Sequence, residues 1–417
     1  MNPLNDLPSL EATVRKAVEE VRITDIHTHL FPPSHGELLL WGVDALLTYH
    51  YLVAELFMVA PADLTPQTFW KMPRHRQADL IWQHVFLRHG ALSEAARGVL
   101  TTLSALGLDV AGRDLRGARE WFAARKAADY LAEVFRIANV DCAIMTNDPF
   151  QTAEAAQWQA KRPVPDCLKA ALRIDTLILN WPAAAQAMSA AGYPTQAVPA
   201  KGDFAAARGF LADWAKRIEP VYLAASMPPD FQYPAGDLAN RVIDEVVLPA
   251  ARELNLPVAM MIGVYKRVNP ALGDGGDAVG VADVTAVTGL CRANRDNKFL
   301  ITMLSRVNQQ ELCVAARKFR NLHIFGCWWF CNNPSIIEEM TRMRLELLGA
   351  TFTCQHSDAR VLDQVVYKWA HTRSVVADVL VEKYRSQFLT GWRPTEAEIR
   401  RDVRALFGGA FEEFLAK

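Results

Sequence analysis

Short apolar runs alternate with helical stretches along most of this 417-residue chain. The helical stretches carry apolar residues at three- and four-residue spacing, whereas the runs have the length of buried strands. Eight such runs lie at residues 21–26, 140–146, 170–174, 221–226, 257–262, 298–303, 322–327 and 351–356. Eight strands that are each followed by a helix predict an α/β fold, a closed parallel (β/α)8 barrel of the TIM type with its active site at the C-terminal ends of the strands.

One long interruption separates the first two predicted strands. Residues 34–138 have a helical pattern and no convincing strand, so we expect a helical insertion subdomain there. Residues 1–33 and 139–417 are then expected to form the barrel, with additional helices after residue 358. We expect Trp70, Trp82 and Phe86, which lie at helical spacing in the insertion, to cover the barrel or a neighbouring subunit, and we expect a homo-oligomer.

Composition and charge exclude several classes of protein. Apolar residues make up 51% of the chain, which supplies a large core, and the formal net charge of −1 gives no nucleic-acid footprint or membrane-surface patch. No run reaches the roughly 18 apolar residues of a spanning helix, and the start of the chain is too acidic for a signal peptide. Seven cysteines without zinc-site spacing suit a reducing compartment, so we expect a cytoplasmic protein.

Two histidines and a distant aspartate form a candidate metal site. The first strand ends in His27-Thr28-His29, and residues i and i+2 of a strand share a face, so both imidazoles can bind one ion. Closure of the barrel places the tip of strand eight beside strand one, which brings in Asp358. Three protein ligands with an open position are typical of a catalytic metal ion. The alternatives are two incidental histidines and a helix N-cap at Asp358.

The residues at the other strand tips favour one ion rather than two. No histidine lies between His89 and His323, and strand four ends in Ser226-Met227-Pro228 without a lysine that could bridge two metals. Nitrogen and carboxylate donors suit zinc, manganese or cobalt, and we expect one divalent ion, with zinc first.

Six motifs in register resemble the uronate (glucuronate) isomerases, a branch of the amidohydrolase superfamily. They cover nearly the whole chain in order: His27-Thr28-His29, His50-Tyr51 in the insertion, Asn147-Asp148-Pro149, Arg173-Ile174-Asp175, residues 326–330 (Gly-Cys-Trp-Trp-Phe), and Asp358-Ala359-Arg360. The resemblance implies aldose–ketose isomerisation of a hexuronate, such as D-glucuronate or D-galacturonate, to its keto form at a single divalent metal ion.

This reaction moves a carbon-bound proton between neighbouring carbons while the oxygens of an enediolate are stabilised. Asp358 is our candidate proton shuttle, and His50 and Tyr51 are candidates for exchanging protons with the oxygens. The alternative for His50 and Tyr51 is packing within the insertion.

The substrate carboxylate requires a permanently charged planar donor. Arg173 and Arg360 are the candidates, because a guanidinium binds a carboxylate through two hydrogen bonds. Asp175, Trp328 and Trp329 are also expected to line the substrate site. Arg173 in a surface ion pair remains the alternative reading for that residue.

One position departs from the family pattern. The uronate isomerases carry a histidine where this chain has Met261, and a thioether neither carries protons nor binds a hard cation well. We expect His356, two residues before Asp358, either to restore the missing nitrogen as an extra ligand or to be a packed histidine.

Three functions therefore remain open. The first is the isomerase. The second is a mononuclear metal-dependent hydrolase or decarboxylase of the same superfamily that acts on another small acidic substrate. The third is a carbohydrate-binding protein without activity.

Overall fold

A curved parallel sheet forms the centre of the protein. The structure is a computed structural model that describes residues 3–417. The strands are β1 (Ile23–Thr28), β2 (Val140–Asn147), β3 (Leu168–Arg173), β4 (Leu223–Met227), β5 (Val258–Ile262), β6 (Val264–Tyr265), β7 (Ala278–Val279), β8 (Phe299–Met303) and β9 (Leu322–Ile324). Seven of them pair in the order β1-β2-β3-β4-β5-β8-β9, and every pair in this sheet is parallel. The predicted α/β TIM-type barrel is confirmed.

The eighth predicted strand, residues 351–356, is not a regular strand. Its only ladder contact is a parallel bridge between Phe325 and Thr353. Closure onto β1 comes later, where the Asp358 N–H donates to the His27 carbonyl at 3.1 Å and the His29 N–H donates to the Ala359 carbonyl at 2.8 Å.

Side chains take the place of the missing ladder bonds. The Gln355 side chain accepts a hydrogen bond from the Cys327 N–H at 2.7 Å, and the Asp25 carboxylate accepts one from the Ser357 N–H at 2.9 Å. Asp358 then adopts a left-handed backbone conformation with φ of 52°, which ends the extended segment. The barrel is therefore closed by an irregular segment that turns at its proposed metal ligand.

The segment between β1 and β2 is helical, as its pattern predicts. One helix, α1 (Leu7–Glu20), precedes β1. The segment after β1 contains α2 (Val43–Leu47), α3 (His50–Val59), α4 (Pro66–Trp70), α5 (Arg74–Ile81), α6 (Glu94–Ala105), α7 (Arg116–Ala123) and α8 (Ala127–Ala138). Side-chain hydrogen bonds cap the N-termini of several of these helices. For example, the Ser93 hydroxyl accepts a hydrogen bond from the third backbone N–H of α6 at 3.1 Å. The buried side chains of these helices share one hydrophobic cluster with the outer layer of the barrel. Assignment of residues 34–138 to a separate subdomain stays a prediction.

The remaining helices surround the sheet and complete the C-terminal part of the chain. They are α9 (Thr152–Gln159), α10 (Asp175–Leu179), α11 (Trp181–Ala190), α12 (Lys201–Ile218), α13 (Leu238–Val242), α14 (Leu248–Glu253), α15 (Val284–Ala293), α16 (Gln309–Ala316), α17 (Pro334–Leu348), α18 (Gln364–Leu389), α19 (Glu396–Arg404) and α20 (Ala410–Ala416). Within residues 3–417, none of these helices combines the length and the apolar character that crossing a bilayer demands.

A second hydrophobic cluster fills the inside of the barrel. Strand residues such as Ile144, Ala171 and Leu300 contribute to it, and Phe411 and Phe414 of α20 join them. Small and large side chains together fill a barrel of this size completely. Because α20 packs into this cluster, the space for a ligand lies at the C-terminal ends of the strands, where the sequence predicts the site.

We predict that His323 on β9 lowers stability in mild acid. Its side chain is 3% exposed and lies 2.9 Å from the Thr353 hydroxyl, and burial lowers its pKa to about 3. The unfolded chain therefore binds this proton more readily, so stability falls as the pH drops below about 6.5. His323→Gln keeps a hydrogen-bonding group but does not titrate. From pH 7.5 to 5 it should lose about 2 kcal/mol less unfolding free energy than the parent, measured by urea titration. Equal losses would contradict the assignment.

Candidate active site

Three ligand atoms from opposite ends of the chain meet at the mouth of the barrel. The Asp358 Oδ1 atom lies 3.3 Å from His29 Nε2 and 3.8 Å from His27 Nε2. All three ligand atoms lie within 4.8 Å of one another, and among residues 3–417 no other group of histidine, cysteine, aspartate or glutamate side chains meets this geometry. The structure thus brings the proposed ligands close enough to share one ion.

The tautomer of His27 is set by Tyr222, which immediately precedes β4. The Tyr222 hydroxyl donates its hydrogen to the Ile26 carbonyl at 2.8 Å. Its oxygen is then left to accept from His27 Nδ1, 3.1 Å away. The Nδ1–H bond leaves a lone pair on His27 Nε2, which faces Asp358.

Thr146 does the same for His29. The Thr146 hydroxyl lies 3.2 Å from the Thr28 carbonyl, to which it donates, and 2.7 Å from His29 Nδ1, from which it accepts. His29 Nε2 therefore also carries a lone pair and faces a carboxylate oxygen at 3.3 Å. Two acceptors at this distance repel each other unless a cation or a shared proton lies between them.

Unpartnered atoms point to the same conclusion. His27 Nε2 and Asp358 Oδ1 are buried and have no hydrogen-bond partner in the described part of the chain, a situation that costs free energy unless a ligand satisfies them. One divalent cation among the three side chains would satisfy both atoms, and the donor set fits such an ion.

The protonation states also suit a metal ion. Burial alone would raise the pKa of the Asp358 carboxyl, but His29, Lys368 and His27 hold it below its usual range. Burial holds the pKa of His27 well below its usual value. Near neutral pH the site therefore presents a carboxylate and a neutral imidazole, the forms in which these side chains bind metals.

A cavity of about 690 Å³, the substrate cavity, opens in front of these ligands. Eight of the residues proposed from the sequence line it: His29, His50, Arg173, Asp175, Trp328, Trp329, Asp358 and Arg360. Met261 also lines it, so the departure from the family pattern lies in the wall of the site itself. His27 is buried behind it.

Tyr51 does not line the substrate cavity. It lines a neighbouring space of about 280 Å³, the rear chamber, together with Lys368, Asn332 and others. His50 and Trp329 line both spaces and form the wall between them, with their rings 5.2 Å apart. Burial lowers the pKa of His50 to about 3 and raises that of Tyr51. The pair therefore presents a neutral imidazole and a neutral phenol near pH 7.

The two candidate arginines differ in their surroundings. Arg173 Nε lies 3.0 Å from the Asp175 carboxylate, and the charge of Asp175 raises the arginine pKa. Among residues 3–417, no carboxylate lies within ion-pair distance of Arg360; it donates to the Leu38 carbonyl at 3.0 Å and lies 5.1 Å over the Phe31 ring. Burial lowers its pKa. Arg360 is thus the guanidinium that lacks a counter-charge in the substrate cavity.

His356 does not join the ligand group. Its ring lies 5.3 Å from the rings of His27 and Phe325 and packs so closely on Gly326 that a Cβ there would come within 1.7 Å of His356 Nδ1. The ring lies outside the group formed by His27, His29 and Asp358, so the structure gives no geometric support to His356 as an extra ligand in place of the nitrogen that Met261 lacks.

Several lining or supporting residues were missed from the sequence. Tyr49, Lys266 and Asp277 line the substrate cavity, and Lys266 Nζ lies 2.7 Å from the Asp277 carboxylate across the β6–β7 hairpin. Strands of two residues leave no periodic signal, so this hairpin could not be foreseen. Thr146 stands at a strand tip and could have been found by the rule that located His27.

We predict that Tyr222→Phe weakens zinc binding by about 10- to 100-fold, because His27 loses the acceptor that fixes its tautomer. Competition with a chromogenic chelator measures the affinity. Tyr193→Phe is the matched control, since that hydroxyl binds Asp213 on the surface. Equal affinities for the two variants would show that the Tyr222 hydroxyl does not orient the imidazole.

Similarity to solved structures is extensive, although no protein-family model and no curated protein matches the chain. A uronate isomerase from Bacillus halodurans C-125 is 48% identical and superposes with a TM-score of 0.97, over 99% of this chain and 98% of that one. A glucuronate isomerase from Caulobacter crescentus is 15% identical with a TM-score of 0.79, over 99% of this chain and 95% of that one.

A third structure shares the fold. A uronate isomerase from Thermotoga maritima is 16% identical with a TM-score of 0.76, over 98% of this chain and 97% of the other. At this level of identity, as for the Caulobacter protein, the likeness concerns the fold alone.

Proposed function

The chain belongs to the uronate isomerase family, and we propose that it interconverts a hexuronate, such as D-glucuronate or D-galacturonate, with its keto form. The observation that carries this proposal is the meeting of His27, His29 and Asp358 beside a cavity that contains an arginine without a counter-charge. A sugar acid needs both features: a Lewis acid at its carbonyl end and a cation at its carboxylate end.

We propose zinc as the ion that His27, His29 and Asp358 hold, with manganese or cobalt as alternatives. When bound, the ion would supply polarisation of the substrate oxygens as negative charge develops on them. Tyr222 and Thr146 keep the two imidazoles oriented for this task.

Proton movement is assigned to groups that line the substrate cavity. Asp358 is the proposed acceptor and donor of the carbon-bound proton, since it stays ionised and faces the cavity. His50, neutral at pH 7, is proposed to exchange a proton with a substrate oxygen. The ring centre of Tyr51 lies 4.5 Å from that of His50, and Tyr51 would take part in the proton exchange through His50.

The substrate carboxylate is assigned to Arg360. A new carboxylate would offset the charge of the half-buried Arg360, whereas at Arg173 it would compete with Asp175. Arg173 and Asp175 would instead hold substrate hydroxyls as a fixed ion pair. Trp328 and Trp329 offer ring faces to the apolar side of the sugar.

We predict that Arg360→Gln raises KM for glucuronate by about 30-fold, since the substrate carboxylate loses its half-buried charged partner. Steady-state kinetics measures this change. Arg306→Gln on the surface is the matched control. If Arg360→Gln leaves KM unchanged and Arg173→Gln raises it, the carboxylate binds at Arg173 instead.

The function itself is tested by following glucuronate in D2O with the zinc-loaded enzyme by proton NMR. We predict formation of the keto sugar, exchange of the C2 proton with solvent, and loss of both on chelation, with recovery after zinc, manganese or cobalt is added. Hydrolysis of an ester or lactone panel without isomerisation would favour the hydrolase. The family membership does not favour that function. Sugar binding with neither reaction would favour the protein without activity.

We also propose a cytoplasmic location and a homo-oligomer. All seven cysteines are unpaired, which suits a reducing compartment. Met58 and Leu92 of the insertion are 81% and 92% exposed and would be covered in an oligomer. Trp82 and Phe86, by contrast, stack on each other and are buried. Sedimentation velocity measures the subunit number. We expect a species larger than one chain, and a monomer would contradict the proposal.

A further inference from the structure

The rear chamber is lined by side chains with unused hydrogen-bond donors. Five of its lining residues carry a buried polar atom without a partner: His50 Nε2, the Tyr51 hydroxyl, Trp329 Nε1, Asn332 Nδ2 and Lys368 Nζ. Each of these groups can donate a hydrogen bond, His50 in one of its tautomers. Because buried donors are normally satisfied, five of them around one space indicate an occupant that accepts.

Lys368 makes the chamber electrostatically unusual. This residue of α18 is 3% exposed, and its ammonium forms no ion pair with any described residue, although burial lowers its pKa. Its Nζ atom lies 5.5 Å from the centre of the Tyr51 ring. A buried ammonium without hydrogen bonds is costly, so a partner of opposite charge would be strongly favoured.

The carboxylates around the chamber do not provide that partner. Glu55 accepts from the Ser93 hydroxyl at 2.7 Å, and Glu94 pairs with Arg97 at 2.7 Å and with His371. Asp274 also lines the chamber but makes no ion pair with Lys368. The charge of Asp358 also acts on Lys368, but the two groups form no ion pair, and a metal ion at His27 and His29 would offset that charge.

We propose that the rear chamber binds one small monovalent anion, such as a halide, held by the ammonium of Lys368, the hydroxyl of Tyr51 and the amide of Asn332. An anion accepts from several donors at once and offsets the lysine charge. Water alone would satisfy the donors but not the charge. A chamber of about 280 Å³ has room for the ion and a few waters.

The site lies outside the substrate cavity, although its Tyr51 is also proposed to take part in proton exchange through His50. It lies on the other side of His50 and Trp329, and it uses Lys368 and Asn332, which do not line the substrate cavity. The occupant would nevertheless touch the wall of the substrate cavity, because His50 and Trp329 line both spaces.

Thermal unfolding of the zinc-loaded enzyme without substrate tests the site. Bromide replaces methanesulfonate at constant ionic strength, and we expect Tm to rise saturably, since a ligand that binds only the folded state stabilises it. Lys368→Met should abolish the rise while leaving Tm without bromide equal or higher, because it removes an unpaired buried charge. Lys266→Met, the same change in the substrate cavity, should keep the rise.

A crystal of the parent enzyme soaked in bromide provides a readout that needs no variant. We expect an anomalous peak beside Lys368 Nζ in the rear chamber. Water alone in the chamber, peaks confined to Arg173 and Arg360, or an equal Tm rise in Lys368→Met would overturn the proposal. None of these results bears on isomerisation, which is measured with substrate in a separate experiment.

Discussion

The candidate metal site is built around a close approach of two hydrogen-bond acceptors. His29 Nε2 and Asp358 Oδ1 lie 3.3 Å apart, and the tautomer set by Thr146 leaves no proton on that nitrogen. His27, oriented by Tyr222, adds a second lone pair. A cation, or a proton shared by His29 and Asp358, would remove the repulsion between these groups, and the three side chains at the open end of the barrel are placed to bind a divalent ion.

The irregular closure of the barrel follows from this requirement. A regular eighth strand would continue its ladder past residue 356 and would fix the direction of each side chain by simple alternation. Here side chains replace the ladder, and the left-handed turn at Asp358 directs the carboxylate toward the histidines. At the opposite end, Phe411 and Phe414 of α20 fill the barrel, so the space for substrate lies on the metal side alone.

The sequence alone was enough to bring the three candidate metal ligands together, because a rule of barrel topology applies to them. Two histidines at the end of the first strand and Asp358 after the last segment could be joined because closed barrels bring their first and last strands together. Seven predicted runs became strands whose ends differ by no more than three residues. Side-chain contacts across the barrel were not accessible, because Tyr222 carries no local signal that its hydroxyl reaches His27.

The neighbours His50 and Tyr51 show a second limit of prediction from the sequence. They were treated as one functional pair, but adjacent residues on a helix point in directions about 100° apart. The first therefore faces the substrate cavity and the second the rear chamber. Lys368 resembles an ordinary charge of a helix in the sequence, and only its packing beneath the insertion, where Gly98 of α6 touches Tyr367, shows that it is buried.

The zinc K-edge absorption spectrum of the zinc-loaded protein shows whether His27, His29 and Asp358 bind one ion. We expect one zinc per chain with two imidazole nitrogens, a carboxylate oxygen and exchangeable oxygen ligands, and loss of one imidazole in His29→Ala. A third imidazole from His356, sulfur ligation, or a spectrum unchanged by His29→Ala would contradict it.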